Sequence, residues 1–126
     1  MRRSSRSLLI VASLAAASVL AGCGGGGGGG GKTVEATGGK VTVEAQDVKF
    51  DVGTINADPG ELEVTLLEKG KQQHTFVIRG HEGKLAVTPS DETDSGSFEL
   101  EPGEYEYYCD VPGHEAQGMK GTLVVK

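Results

Sequence analysis

Four side chains in this sequence are of types that share one chemistry. In the stretch YEYYCDVPGHEAQGMK, residues 105–120, a cysteine, a histidine and a methionine follow one another at five-residue intervals as Cys109, His114 and Met119, around a Pro112-Gly113 turn. Thiolate, imidazole and thioether are soft or borderline donors, and together they suit copper better than any hard cation. A site of two histidines, one cysteine and one methionine lacks one imidazole, which His74, 35 residues before Cys109, supplies. Three other readings compete. Zinc prefers several thiolates or histidines and seldom takes a thioether. A Cys–His hydrolase dyad needs a third, orienting group and leaves Met119 without a role. A buried cysteine with unrelated histidines nearby would explain one donor but not three donor types in register.

Donors so far apart in sequence must be delivered by a scaffold, and the hydrophobic pattern describes one. Val41, Val43 and Ala45 alternate with Thr42 and Glu44, and Val48, Phe50 and Val52 keep the same period of two. After the turn signal Asp58-Pro59-Gly60, Leu62, Val64 and Leu66 alternate with Glu61, Glu63 and Thr65. Residues 68–71 are polar and read as a turn. In residues 73–78, His74, Phe76 and Ile78 share a face, which puts the histidine at the end of an inward-pointing row. Residues 79–96 are polar and mixed and read as a long connection holding one short helical turn or edge strand. A brief strand at 97–100, a turn at 101–104, a strand at 105–109 bearing Tyr105, Tyr107 and Cys109 on one face, and a last strand within 121–126 complete the chain. No segment keeps a helical period. About seven or eight short strands, expected to pair antiparallel and separated by Pro-Gly turns, predict an all-β fold, a Greek-key sandwich or barrel.

The N-terminal part has a different composition. Residues 1–7 carry three arginines, residues 8–20 are apolar, and Leu20-Ala21-Gly22-Cys23 follows. A basic stretch, a short apolar stretch and small residues before a cut site read as an export signal rather than a spanning helix. The ending resembles the lipobox of bacterial lipoproteins, in which the cysteine, here Cys23, is lipidated. The expected organisation is a signal peptide at 1–22, a lipidated cysteine and glycine-rich tether at 23–39, and one domain at 40–126. The eight glycines 24–31 cannot bury anything and would span roughly 16 Å as a flexible coil. With Cys23 lipidated, Cys109 has no disulfide partner, and an unpaired thiol in an oxidising compartment calls for something to hold it as thiolate. Without residues 1–22 the chain keeps nine basic against eighteen acidic side chains, net about −9. That balance argues against nucleic acid and favours a basic partner reached by salt-sensitive attraction.

The segment Tyr107-Tyr108-Cys109-Asp110-Val111-Pro112-Gly113-His114, followed by Gly118-Met119-Lys120-Gly121-Thr122, closely resembles the C-terminal motif of the cupredoxin family, the blue copper proteins that include plastocyanin, azurin and rusticyanin. His74-Thr75-Phe76-Val77-Ile78 is similar to that family's first-ligand strand. The likeness covers residues 41–126; the Cys-x4-His-x4-Met spacing is nearest to rusticyanin-like members, and Pro112-Gly113 is also similar to azurin. It implies a type 1 copper centre with His74, Cys109 and His114 as strong ligands and Met119 as weak axial ligand. Two positions depart from the pattern. Asp110 follows the cysteine where Ser, Thr or Gly is frequent, and its charge is expected to favour Cu(II) and lower the potential. Gln73 and Thr75 flank the first histidine, so neither a hydrogen-bond network around the sulfur nor a fifth, carbonyl ligand is carried over.

The function expected from this is single-electron shuttling by a lipid-anchored copper protein of the cell envelope, outside the cytoplasm, serving a basic redox partner of cytochrome or oxidase type. The alternative is an envelope protein that buffers or delivers copper through the same four side chains. Copper enzymes of this fold family need further copper sites and domains, whereas this chain has three histidines and room for one domain. His81, in a polar loop, reads as solvated; Tyr105, Tyr107 and Tyr108 read as packing. Glu99, Glu101, Glu104 and Glu106 read equally as a solvated face or a docking patch.

Overall fold

The computed structural model describes residues 31–126. The expected signal peptide, the lipidation of Cys23 and the glycines before Gly31 lie outside them. Among the described residues ten strands form: β1 (Lys32–Glu35), β2 (Lys40–Gln46), β3 (Lys49–Phe50), β4 (Val52–Ala57), β5 (Gly60–Glu68), β6 (His74–Ile78), β7 (Leu85–Val87), β8 (Thr93–Leu100), β9 (Gly103–Tyr108) and β10 (Lys120–Val125). They build a six-stranded sheet in the order β1-β4-β10-β9-β6-β7 and a four-stranded sheet in the order β3-β2-β5-β8. Two sheets packed through one buried face each make the expected sandwich.

Alternation decides what is buried. Val41, Val43 and Ala45 of β2 and Leu62, Val64 and Leu66 of β5 point from the four-stranded sheet into a core that Phe76 and Ile78 of β6, Ile55, Tyr107 and Leu123 fill from the six-stranded one. Aromatic rings interlock at its centre. Phe76 stacks on Tyr107 with centroids 4.9 Å apart, and Phe50 meets both rings at 5.9 and 5.5 Å. The Tyr107 hydroxyl donates to the Val52 carbonyl at 2.5 Å, so its one polar atom is satisfied inside the core.

Four features differ from the sequence-based expectation. First, the pairing is mixed: β1 and β10 each run parallel to β4, and β2 runs parallel to β5. The chain crosses between sheets from β3 to β4 and again from β4 to β5, so strands that become neighbours arrive in the same direction rather than by hairpin. Second, the sheet begins at Lys32, inside the segment assigned to the tether, because β1 covers the free edge of β4. Third, β8 starts at Thr93 rather than at residue 97; its polar first half is exposed on an edge strand, where only the backbone needs a partner, and β5 provides one. Fourth, Val48 does not continue a strand. Ala45 pairs with Phe50 and Gln46 with Lys49, and Val48 turns the hairpin at φ 57, a costly region for a β-branched residue.

Register also sets direction. β9 runs from Gly103 towards Cys109; β10 is antiparallel to it with Lys120 opposite Tyr108, and β4 is parallel to β10. Lys32 lies opposite Val52 at the start of β4, so the described chain enters the fold at the end of the sandwich that bears Cys109.

Candidate metal centre

β6 and β9 are antiparallel neighbours, with Val77 opposite Tyr108 and Ile78 opposite Tyr107. Continued past Tyr108, that register puts Phe76 level with Cys109 and leaves Thr75 and His74, at the start of β6, beside the chain that follows the cysteine. From Cys109 the chain makes a closed loop: the Cys109 N–H donates to the Met119 carbonyl, and the His114 carbonyl accepts from the Met119 N–H, both at 3.1 Å. The His114 N–H donates to the Val111 carbonyl at 3.0 Å, Gly113 supplies the left-handed turn at φ 86, and a single 3₁₀ turn, Glu115–Gln117, ends at Gly118 with φ 101. The expected Pro-Gly turn and the second turn after His114 are both there. Their geometry returns the histidine to the cysteine it follows.

Three of the four expected donors converge. One ligand atom from each of His74, Cys109 and His114 lies within 4.8 Å of the others, and all three residues are buried. The Cys109 sulfur is 3.5 Å from Nδ1 of His114, and the two imidazole rings are 5.1 Å apart at 48°. Met119 is fully buried in the same loop, tied by its backbone to both Cys109 and His114. His81 lies elsewhere, edge-on to Tyr105 at 5.0 Å.

The surroundings favour a metal over a bare polar cluster. Neither ring nitrogen of the buried His74 has a hydrogen-bond partner, which costs free energy unless another species takes the lone pair. Burial, and then the neighbouring His114, push the His74 imidazole below its usual range, which keeps it neutral and able to ligate. A thiol and two imidazoles, buried and mutually within ligand distance, fit copper by the chemistry of the donor set and form a type 1 copper site.

The sulfur also has a hydrogen bond that the flanking residues did not promise. The Thr75 N–H donates to it at 3.4 Å, while the Thr75 hydroxyl passes 3.6 Å away with its one proton directed to Asp110. The same hydroxyl is 2.7 Å from a carboxylate oxygen of Asp110 and accepts from the Asp110 N–H at 2.9 Å. Threonine here does from β6 what a polar residue after the cysteine would do from the loop. Asp110 is not a bare charge either. Its other oxygen meets the Lys84 ammonium at 2.5 Å; partial burial opposes ionisation, but Lys84 and Thr75 outweigh it and hold the carboxyl below its ordinary range.

Sequence reading missed three residues around the site: Thr75, Lys84 and Glu68. Only Glu68 left a signal. Residues 62, 64 and 66 set a period of two on β5, and 68 is the next inward position, yet it was assigned to a turn; the glutamate is buried there, 3.9 Å from His74.

The cluster of expected acidic residues divides. Glu99 belongs to β8 and Glu104 and Glu106 to β9, in different sheets, and Glu106 is held by Arg79, which also pairs with Glu115 and lies 4.2 Å over the Tyr108 ring. Glu99, Glu101 and Glu104 gather at the start of β9, the end remote from Cys109.

Comparison with known proteins agrees with fold and site. No match is found among curated proteins. Among solved structures, reduced auracyanin from the photosynthetic bacterium Roseiflexus castenholzii superposes with a TM-score of 0.64 at 21% identity, over 72% of this chain and 98% of its own. Auracyanin B gives 0.59 at 22%, over 79% and 96%. Rusticyanin from Thiobacillus ferrooxidans gives 0.59 at 25%, over 78% and 86%. The family model described as the cupredoxin-like domain matches residues 8–125, and with the converged His74, Cys109 and His114 this places the chain in the cupredoxin family.

Proposed function

We propose that this protein is a one-electron carrier of the cell envelope, in which His74, Cys109, His114 and, as a weaker ligand, Met119 would hold one copper ion. The observation that carries the reading is the buried thiol facing two imidazoles at the end of a β-sandwich. Bound copper supplies single-electron exchange between Cu(I) and Cu(II). The chain supplies rigidity: a loop closed by its own backbone bonds on two strands of a packed core leaves the donors little room to move when charge changes. The Thr75 backbone N–H donates to the sulfur and limits charge donation from it. Pro112 adds no N–H to that set. His114, 6% exposed beside the exposed Pro112 and Gly113, gives the electron its shortest way out to a partner protein. We read the role as carriage rather than catalysis, since buried protein side chains, His74, Cys109 and His114, would hold the ion.

The envelope location rests on sequence, on the export-type segment and the lipobox-like Leu20-Ala21-Gly22-Cys23. A lipid on Cys23 would anchor the chain through the glycine run. Entry of the chain at the Cys109 end supports a carrier whose copper end lies toward its membrane, where a membrane-bound redox partner would meet it.

The test is to load residues 32–126 with Cu(II) and record visible and EPR spectra. An intense blue or green thiolate-to-copper band that bleaches reversibly with a reductant is expected. A colourless complex that a chelator strips readily would replace electron transfer by copper buffering or delivery. Cys109→Ser should remove the band and leave the sandwich folded, as followed by circular dichroism; a retained band would take Cys109 out of the site.

A further inference from the structure

One buried group beside the site has no part in the function above. Glu68 ends the inward row Leu62, Val64, Leu66 of β5, and its side chain is 1% exposed. A carboxyl group in that position costs several kcal/mol unless it is partnered. Its Oε1 accepts from the Gly70 N–H at 2.6 Å and lies 3.9 Å from Nε2 of His74. Its Oε2 has no partner, and neither has Nε2 or Nδ1 of His74. Three unsatisfied buried polar atoms therefore sit on two adjacent side chains. Glu68 is not among the converging donors, which are His74, Cys109 and His114.

One arrangement gives the imidazole N–H a partner within the pair. A closure of about 1 Å brings Nε2–H onto the Glu68 carboxylate at ordinary hydrogen-bond distance. The imidazole is then fixed as the Nε2–H tautomer, and the lone pair on Nδ1 is left for the metal. Histidine ligands are commonly oriented in this way by a carboxylate on their second nitrogen, which also raises their basicity. We propose that Glu68 is the positioning residue of the copper site, acting through His74: it selects the ligating tautomer, fixes the ring and raises the basicity of the nitrogen left for the metal.

The inference rests on the copper reading for its last part, but the tautomer can be read without metal. The full chain is prepared metal-free as wild type, Glu68→Gln and Glu68→Leu, and the ring nitrogens of His74 are followed by long-range proton–nitrogen NMR. Wild type should show Nε2–H; Glu68→Gln should keep it, because the amide oxygen still accepts; Glu68→Leu should give a mixture. On loading with Cu(II), Glu68→Leu should lose copper to a chelator roughly 10- to 100-fold faster, Glu68→Gln much less so, and both should have a raised reduction potential. A carboxyl that merely ties the loop to Gly70 would lower stability in both variants and move neither tautomer nor potential. Unchanged tautomer and copper loss in Glu68→Leu overturn the proposal. If that variant does not fold, an unchanged potential in Glu68→Gln overturns it instead. A wild-type protein with no thiolate band would defeat the copper reading alone, with the tautomer comparison still deciding whether Glu68 orients His74.

Discussion

A neutral residue after the ligand cysteine would leave the sulfur's neighbourhood uncharged; here Asp110 brings a carboxylate and Lys84 answers it at 2.5 Å. The pair should tune the potential in opposite directions. Asp110→Asn leaves a positive charge near the metal and should raise the potential, while Lys84→Gln leaves a negative one and should lower it. Lys84 is half-exposed, so both shifts should shrink between low and high salt in voltammetry. Shifts of the same sign would mean the pair acts through structure rather than charge. Tyr107 makes a different prediction, about stability. Burial drives its phenol well above the ordinary value near 10, and its hydroxyl donates to Val52. The folded state thus holds that proton more tightly than the unfolded chain does. The stability this gives is complete below about pH 10 and is lost as pH rises towards the folded value. Tyr107→Phe should cost about 1 to 2 kcal/mol at pH 7 and flatten the loss of stability expected in denaturant titrations above about pH 10. An equally steep alkaline loss in the variant would show that other groups cause it.

At the scale of elements, the site depends on how closely β9, β10 and β4 approach. Gly121 of β10 lies opposite Tyr107, and a Cβ there would collide with the Tyr107 ring and the Gly53 carbonyl. The absent side chain is what lets Tyr107 cross to Val52. Gly121→Ala should destabilise by about 2 to 3 kcal/mol, visible as a lower denaturant midpoint at unchanged slope; a change under about 0.5 kcal/mol would mean the ring moves aside freely. These elements were legible in part. Period-two alternation marked most strands and their inward residues correctly, because burial of one face is a local property of the pattern. It could not name partners. Parallel pairing of β2 with β5 and of β1 and β10 with β4 follows from crossovers between sheets, which leave no mark on either strand alone. The polar half of β8 was missed for a related reason, since an edge strand held by backbone bonds needs no apolar pattern.

Across the whole molecule, charge and metal are separated. Glu99, Glu101 and Glu104 lie near Gly103, and the strand from there to Cys109 covers roughly 20 Å at 3.3 Å per residue. A partner docked on them would be far from the copper. Replacing all three by Gln should therefore change the rate of electron exchange with a basic cytochrome by less than about 3-fold, in stopped-flow at low salt; a 10-fold loss would restore the docking patch. The sequence by itself determined the donor types, their spacing around Pro112-Gly113, the all-β class and the alternation that aims His74 inward, since each is carried by neighbouring residues or by a period of two. Only the tertiary structure decided that Thr75 serves the sulfur, that Lys84 offsets Asp110, that Glu68 lies buried against His74 and that the chain enters at the metal end. Those relations join residues from different strands and loops, and a distance across a fold is written in no single stretch of the chain.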